Sequence, residues 1–304
     1  MKKFLLALPL LVAIAYLASC NSSSATDAIE LKFKLPKGKK YEYAMNMEMQ
    51  WNQEMMGKKM DMKNTMGFTY LFEVTNDSSE WKTVSSILAK VNLDMSINGR
   101  TMHYDTDMPA TDSGPIAMMG KAFGAMKGSQ FSFTVNDKGD IGEVKGIKEI
   151  QDSMFSAMHN GEGEGPVEGL RKTFDEKGLK QNMQQAFSTY PGKPVKVGDT
   201  WTKTTTQKVQ GMTIKSDNVY TLESVHGNDA IVKLTSKLSL DNAGEANPAR
   251  SITGTSEGKT HYDLETGLIT DGDLDMKMDM KRKVNNTELP MSMNMKMKIK
   301  GKKI

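Results

Sequence analysis

Methionine occupies every second position from Met291 to Met297, in the C-terminal segment "ELPMSMNMKMKIKGKKI". The chain contains 26 methionines among 304 residues. Thioether sulfur is a soft ligand that suits Cu(I), and alternate residues of a strand lie on one side, so paired Met-rich strands would form a sulfur-rich wall. The same side chains also fill irregular apolar space and adapt to varied apolar contacts. The pattern therefore leaves three alternatives: copper binding, hydrophobic-ligand binding and packing.

Two features of the sequence favour an apolar role over a metal site. The Met-rich faces continue into Tyr, Phe and Trp, and Met also recurs at helical spacing elsewhere in the chain. Cysteine and histidine are missing from the Met clusters, and the histidines lie far apart without the spacing of metal ligands (His103, His159, His226 and His261). We therefore expect no metal ion and no cofactor.

Two short motifs resemble catalytic or calcium-binding patterns but lack the required context. "GTSEG" (residues 254–258) has the spacing of a nucleophile elbow around Ser256, yet that motif needs a following helix, and the strand-like "KTHYDL" follows instead. We interpret the motif as a polar hairpin loop. Asp271, Asp273 and Asp275 alternate but lack the glycine and the distal Glu of an EF-hand loop, so we place them on the solvent face of a strand. The sequence thus predicts no catalytic residue and a protein that is not an enzyme.

Alternation of apolar and polar residues predicts the long β-strands that would position the methionines. "KKYEYAMNMEMQW" and "KKMDMKNTMGFTYLFEV" form a hairpin with a turn at residues 56–57 if Met47 lies opposite Met66 and Tyr41 lies opposite Phe72. In that register apolar residues meet apolar residues across the two strands, as a half-buried sheet requires.

A second predicted hairpin joins "DLDMKMDMKRKV" to the C-terminal segment through a turn at residues 285–286, where Asn tolerates positive φ. Met278 then lies opposite Met293, and Asp275 lies opposite Lys296, so one face is apolar and the other pairs opposite charges. The two hairpins together predict a hydrophobic-ligand face formed by Met45, Met47, Met62, Met66, Phe68, Met276, Met278, Met280, Met291, Met293 and Met295.

The remaining sequence predicts helices between two strand-rich halves. Apolar residues recur at helical spacing within residues 147–158, 179–187 and 116–128, while "GEGEGP" breaks the helical region and Gly178 interrupts it. A weak repeat relates the halves, with Gly139 and Gly267 each at a strand-to-strand turn. We predict a mainly β fold with an α insert (α+β), made of long antiparallel meander sheets in two related halves. The predicted segments are 1–19 signal peptide, 20–29 flexible tether, 30–145 first β half, 146–190 helical insert and 191–304 second β half.

The N-terminus has the order of an export signal. Lys2 and Lys3 precede an apolar run from Phe4 to Leu17 that is too short to span a membrane, which needs about 20 residues. The next residues, Leu17-Ala18-Ser19-Cys20, closely resemble the bacterial lipoprotein signal, and this resemblance implies cleavage before Cys20 and lipidation of its sulfur. Cys20 is the single cysteine, so no intramolecular disulfide can form. The absence of Asp after Cys20 favours the outer membrane as the anchored location.

The mature chain resembles a family of uncharacterised lipoproteins of Bacteroidetes-type bacteria. The resemblance rests on "GKKYEY", "FSFTVNDKGDIGEVKG" and "YPGKPVKVGDTW", which are strand and turn motifs, and it implies no catalytic activity. At the level of the fold, long strands around a helical insert look similar to the half-barrel lipoprotein carriers of the periplasm, which implies lipid as a ligand. A structural or protein-interaction role and a Cu(I)/Ag(I) role stay open as alternatives. A net charge of +3 gives no reason to expect nucleic acid as a partner.

Overall fold

The computed structural model describes residues 27–55, 58–78, 80–108, 115–158, 176–209, 212–241, 250–284 and 287–304. The predicted signal peptide, Cys20, His159 and both predicted hairpin turns, at residues 56–57 and 285–286, lie outside the described residues. No helix within the described part of the chain has the length and apolarity needed to cross a membrane.

Twelve strands and three helices make up the described structure. The strands are β1 (Lys40–Met55), β2 (Lys58–Asp77), β3 (Lys82–Ile97), β4 (Arg100–Asp105), β5 (Gln130–Val135), β6 (Ile141–Lys145), β7 (Thr200–Val209), β8 (Met212–His226), β9 (Asp229–Leu240), β10 (Arg250–Asp263), β11 (Ile269–Val284) and β12 (Thr287–Lys303). The helices are α1 (Pro115–Met126), α2 (Ile147–Met158) and α3 (Glu176–Phe187).

All twelve strands belong to one antiparallel sheet with the order β6-β5-β3-β2-β1-β12-β11-β10-β9-β8-β7, and β4 pairs with β3 beside this path. The prediction of a mainly β, antiparallel fold is therefore confirmed, but the strands form one sheet instead of several. The two meanders join at the centre, where β1 pairs with β12. Strands β6 and β7 lie at the two edges, so the described sheet is open, as in a half-barrel.

Both predicted hairpin registers are confirmed. Met47 lies opposite Met66 and Tyr41 opposite Phe72 in the β1–β2 pair. Met278 lies opposite Met293 and Asp275 opposite Lys296 in the β11–β12 pair. A slip of one residue would have moved every methionine to the solvent face, so the apolar pattern was sufficient to specify the register.

The predicted helices are present, but two glycine-based interpretations were wrong. Gly178 lies inside α3 and does not interrupt it. "GTSEG" lies in the middle of β10 and not in a hairpin loop. A Cβ at Gly258 would come 2.1 Å from the carbonyl oxygen of Asp273 on β11, and one at Gly254 would come 2.6 Å from that of Lys277. These glycines therefore permit a close approach between two strands, which is an alternative reason for glycine in a strand.

The main hydrophobic core lies at one end of the sheet and brings both of its flanks together. Leu31 and Phe33 pack in one cluster with residues of β5 and β6, such as Phe133, and residues of β8 and β9, such as Val232. Helix α3 contacts both edge strands. The side-chain oxygen of Gln184 on α3 accepts a hydrogen bond from the Ile141 N–H at 2.8 Å. We call α3 together with residues 27–36 and 188–199 the plug, because they fill this end of the open sheet.

Burial at the plugged end of the sheet shifts the pKa of two tyrosines, Tyr43 of β1 and Tyr190 of the plug. Desolvation raises the pKa of Tyr43 and Tyr190 well above the ordinary value for a phenol. The Tyr190 hydroxyl donates a hydrogen bond to the Gly267 carbonyl at 2.9 Å, which satisfies the buried oxygen. The plugged end is therefore a packed core.

Helices α1 and α2 cover a second cluster on the flank formed by β2 and β3. Leu88 and Val91 of β3 pack against Met126 of α1 and against Met154 and Phe155 of α2. Burial raises the pKa of the neighbouring Tyr70 on β2 to about 12. The helices thus cover β3 and the part of β2 that includes Phe68 and Tyr70.

Candidate ligand-binding face

The methionines lie on the same face of the sheet as the core, which we call the inner face. Residues paired across antiparallel strands share a face, and side chains alternate along each strand. Tyr41 is 2% exposed in the main core, and Met45 and Met47 follow it at even spacing on β1. Their partners on β2 and β12 therefore lie on the inner face as well.

Four neighbouring strands at the centre of the sheet, β11, β12, β1 and β2, carry rows of apolar residues on this face. Met276, Met295 and Met49 lie in one row, and Leu274, Met297, Met47 and Met66 lie in the next. The part of the inner face that we call the Met face is partly exposed to solvent, and it consists of Met45, Met47, Met49, Met62, Met66, Phe68, Leu274, Met276, Met291, Met295 and Met297.

All eleven residues of the predicted ligand face lie on the inner face, but three of them are buried, and Phe68, Met276 and Met291 are partly buried against neighbouring clusters. Met278, Met280 and Met293 are only 6–8% exposed. They form a third cluster with residues of β8, β9 and β10, namely Ile214, Leu238 and Ile252. The structure therefore divides the predicted face into the open Met face and a buried corner towards β10.

The inner face also contains a polar group that the sequence interpretation missed. Ser216 and Asn218 on β8, Ser236 on β9 and Ser256 on β10 are each only 6–7% exposed. The Asn218 side-chain oxygen accepts hydrogen bonds from the Ser216 hydroxyl at 2.8 Å and from the Ser236 hydroxyl at 2.6 Å. We call these four residues the polar wedge. It borders the Met face directly, because Ser256 is paired with Met276.

The opposite, outer face is charged, as the sequence predicted. Asp275 and Lys296 lie 4.0 Å apart, and Lys302 pairs with Glu42 at 3.0 Å. Asp271 pairs with Lys300, whose hydrogen bond lowers the pKa of the Asp271 carboxyl. Exposed pairs of this kind contribute little stability, about 1 kcal/mol or less each. Their main effect is to make the outer face hydrophilic.

The residues that make up the Met face are Met, Leu and Phe, whose side chains carry no ionisable group. His103 contacts Asp94, and His261 contacts Asp229 at 2.9 Å. Within the described ranges no three His, Cys, Asp or Glu side chains come together in a way that could hold a metal ion. Ser256, the centre of the "GTSEG" motif, belongs to the polar wedge.

A family model described as "Family of unknown function (DUF6263)" matches residues 79–269, which is more than half of the chain. The chain belongs to the DUF6263 family. The matched range includes the polar wedge, helices α1 to α3 and strands β3 to β10. No curated protein matches the sequence of this DUF6263 chain.

Among solved structures, the DUF6263 chain is similar to lipovitellin, in a structure that describes lipid–protein interactions in that protein. The TM-score is 0.50 at 11% identity, over 88% of this chain and 25% of the lipovitellin chain. The chain thus spans about a quarter of lipovitellin, and the likeness is one of fold alone.

Two further matches have TM-scores of 0.21, too low to establish a shared fold. One is the translocator domain of the autotransporter NalP from Neisseria meningitidis, at 8% identity over 86% of this DUF6263 chain and 88% of that chain. The other is a protein with a YmcC-like fold from Bacteroides fragilis, at 10% identity over 86% and 96% of the two chains.

Proposed function

We propose that this protein binds a hydrophobic ligand of the lipid class on the Met face and does so without catalysis. The observation that carries the proposal is the partial exposure of a contiguous apolar surface across four central strands, between the plug and the buried corner. A large exposed apolar surface is unfavourable in water unless it binds something. Concave apolar surfaces on a preformed scaffold are the usual form of small-ligand sites.

Methionine suits this surface because its side chain is unbranched and flexible. It can adapt to acyl chains of different shape without a change in the backbone. Packing alone would be served equally well by Leu, Ile or Val, which specify a core more tightly. The buried corner around Met278 and Met293 shows that methionine also packs in this protein, so the proposal concerns the partly exposed methionines.

The fold similarity to lipovitellin, described by its lipid–protein interactions, agrees with the proposal. It supports only the idea that an open antiparallel sheet of this kind can present an inner face to lipid, because the identity is 11%. The binding residues are proposed from the contacts of this chain alone.

The test is a titration with N-phenyl-1-naphthylamine, an uncharged probe whose fluorescence rises in apolar surroundings. We expect saturable binding and displacement by myristate. A purely structural or protein-interaction role predicts no saturable signal at protein concentrations where the chain is folded.

The proposed location is the cell envelope, with the chain anchored to the outer membrane through lipidated Cys20. The proposal rests on the sequence Leu17-Ala18-Ser19-Cys20. Cys20→Ser should abolish lipid modification, because serine lacks the thiolate that accepts the lipid. Metabolic labelling with a fatty-acid probe should mark the wild type and leave the variant unmarked. Equal labelling of the two proteins would contradict the proposal.

The proposal also predicts that the protein has no tight, stoichiometric Cu(I) site. A competition titration against a Cu(I) chelator should leave the metal with the chelator at nanomolar free copper. Retention of copper by the wild type, together with its loss in the double variant Met278→Leu and Met293→Leu, would show that sulfur ligation is a function of these strands. The paired sulfurs are the reason for choosing this variant.

A further inference from the structure

The edge strand β7 places one lysine on the inner face. Lys203 is paired with Asn218 of the polar wedge, and the next inward residue, Thr205, is paired with Ser216. The Thr205 hydroxyl accepts a hydrogen bond from the Asn218 amide nitrogen at 3.3 Å, which confirms that this side of β7 faces the wedge. Trp201, two residues before Lys203, is buried in the main core on the same face.

The charge of Lys203 is isolated on this face. Between the row of Ile252 and the row of Tyr262, the inner-face positions of β7 to β12, β1 and β2 carry no other charged residue among those described. Within the described residues, Lys203 also forms no ion pair or hydrogen bond through its side chain. A partly exposed lysine without a partner among the described residues therefore lies beside the polar wedge.

Lys203, the polar wedge and the first methionine of the Met face lie in one row across the sheet. The row runs from Lys203 through Asn218, Ser236 and Ser256 to Met276. Four strand spacings of about 4.8 Å separate β7 from β11, so the row is about 19 Å long when followed along the sheet. Lys203 therefore lies on the far side of the wedge from the Met face, and a headgroup held between Lys203 and Ser256 would place the start of its acyl chain next to Met276.

We propose that the ligand is an amphiphile with an anionic headgroup, and that Lys203 and the polar wedge form the headgroup subsite. This inference rests on the proposed lipid-binding function and names the ligand class. The ammonium group would form a charge-assisted hydrogen bond with a carboxylate or phosphate. Ser216 and Ser236 already donate to Asn218, whereas the Ser256 hydroxyl can rotate to donate to the same anion. The acyl chain would cover Met276, Met295 and Met49 in the continuation of the row.

A structural explanation of Lys203 makes a different prediction. Inward-pointing charges on edge strands prevent edge-to-edge association of sheets. In that case, replacing Lys203 would change aggregation and leave the selectivity for headgroups unchanged. The experiment must therefore measure selectivity and not affinity alone.

The experiment displaces N-phenyl-1-naphthylamine from the folded protein with three ligands of equal chain length: myristate, tetradecyl phosphate and tetradecanol. We expect the wild type to bind at least one of the two anions about tenfold more tightly than the alcohol. Lys203→Gln should remove this preference and leave the affinity for tetradecanol within about twofold of the wild type. The two anions distinguish a carboxylate from a phosphate headgroup.

Two variants serve as controls. Lys203→Arg keeps the charge and should keep the preference. Lys237→Gln removes an exposed lysine from β9, two strands away in the sheet, and it should change nothing, because Lys237 alternates with the inward-facing Ser236 and Leu238. An anion preference that is equal in the wild type and Lys203→Gln, or no preference in the wild type, would overturn the headgroup subsite while leaving lipid binding intact. Failure of all three ligands to displace the probe would overturn the proposed function itself.

Discussion

Replacement of Met293 by Asp is expected to unfold the protein or prevent its expression. Met293 is 6% exposed and packs with Ile214, Leu238 and Ile252 in the buried corner. A carboxylate at this position would be buried without a partner, which costs at least about 3 kcal/mol and is a large share of the stability of a domain. Thermal and urea unfolding of purified protein, and the soluble yield, measure the effect.

The neighbouring residue provides a matched control. Asn294 is exposed on the outer face, so Asn294→Asp should change the free energy of unfolding by only about 0.5 kcal/mol. Met293→Leu keeps the volume and should cost less than about 1.5 kcal/mol. Similar losses for Met293→Asp and Asn294→Asp would contradict the assignment of the two faces.

Replacement of Met47 by Glu is expected to abolish ligand binding without unfolding the protein. Met47 lies in the middle of the Met face, paired with Met66 on one side and Met297 on the other, and it is partly exposed. Its charge can remain hydrated in the free protein, so the stability should fall by about 1 kcal/mol or less. A bound acyl chain would displace that water, which should weaken binding by at least about thirtyfold.

Gln50→Glu is the control for this variant, since it places the same side chain on the exposed outer face of the same strand. Its affinity for N-phenyl-1-naphthylamine and myristate should equal that of the wild type. Unfolding of Met47→Glu would mean that the centre of the sheet is a packed core, and unchanged binding would place the ligand elsewhere.

The sequence predicted the hairpin registers because two independent patterns agree in each of them. Met278 opposite Met293 places methionines on one face and brings Asp275 opposite Lys296 on the other. The pairing of β1 with β12 was not predictable in this way, because the two strands lie at opposite ends of the described chain and no turn connects them. This long-range pair is what merges the two meanders into one sheet.

The polar wedge was missed for a related reason. Ser216, Asn218, Ser236 and Ser256 each look like ordinary solvent-facing residues when a single strand is considered. Their position on the inner face follows only from the combined registers of β8, β9 and β10 with their neighbours. The sequence alone also does not show that Met293 is buried whereas Met47 is partly exposed. The exposure of each methionine depends on which other strands pack against it on the inner face.

Native mass spectrometry of the protein purified from its own host tests most directly whether the Met face holds a lipid-class ligand. A covalent lipid on Cys20 persists after denaturation, whereas a ligand on the Met face is lost, so spectra of native and denatured protein separate the two. We predict an additional mass in the native spectrum that corresponds to an amphiphile and is absent from Met47→Glu. The same mass in native and denatured spectra, combined with no displacement of N-phenyl-1-naphthylamine by any of the three ligands, would contradict the account.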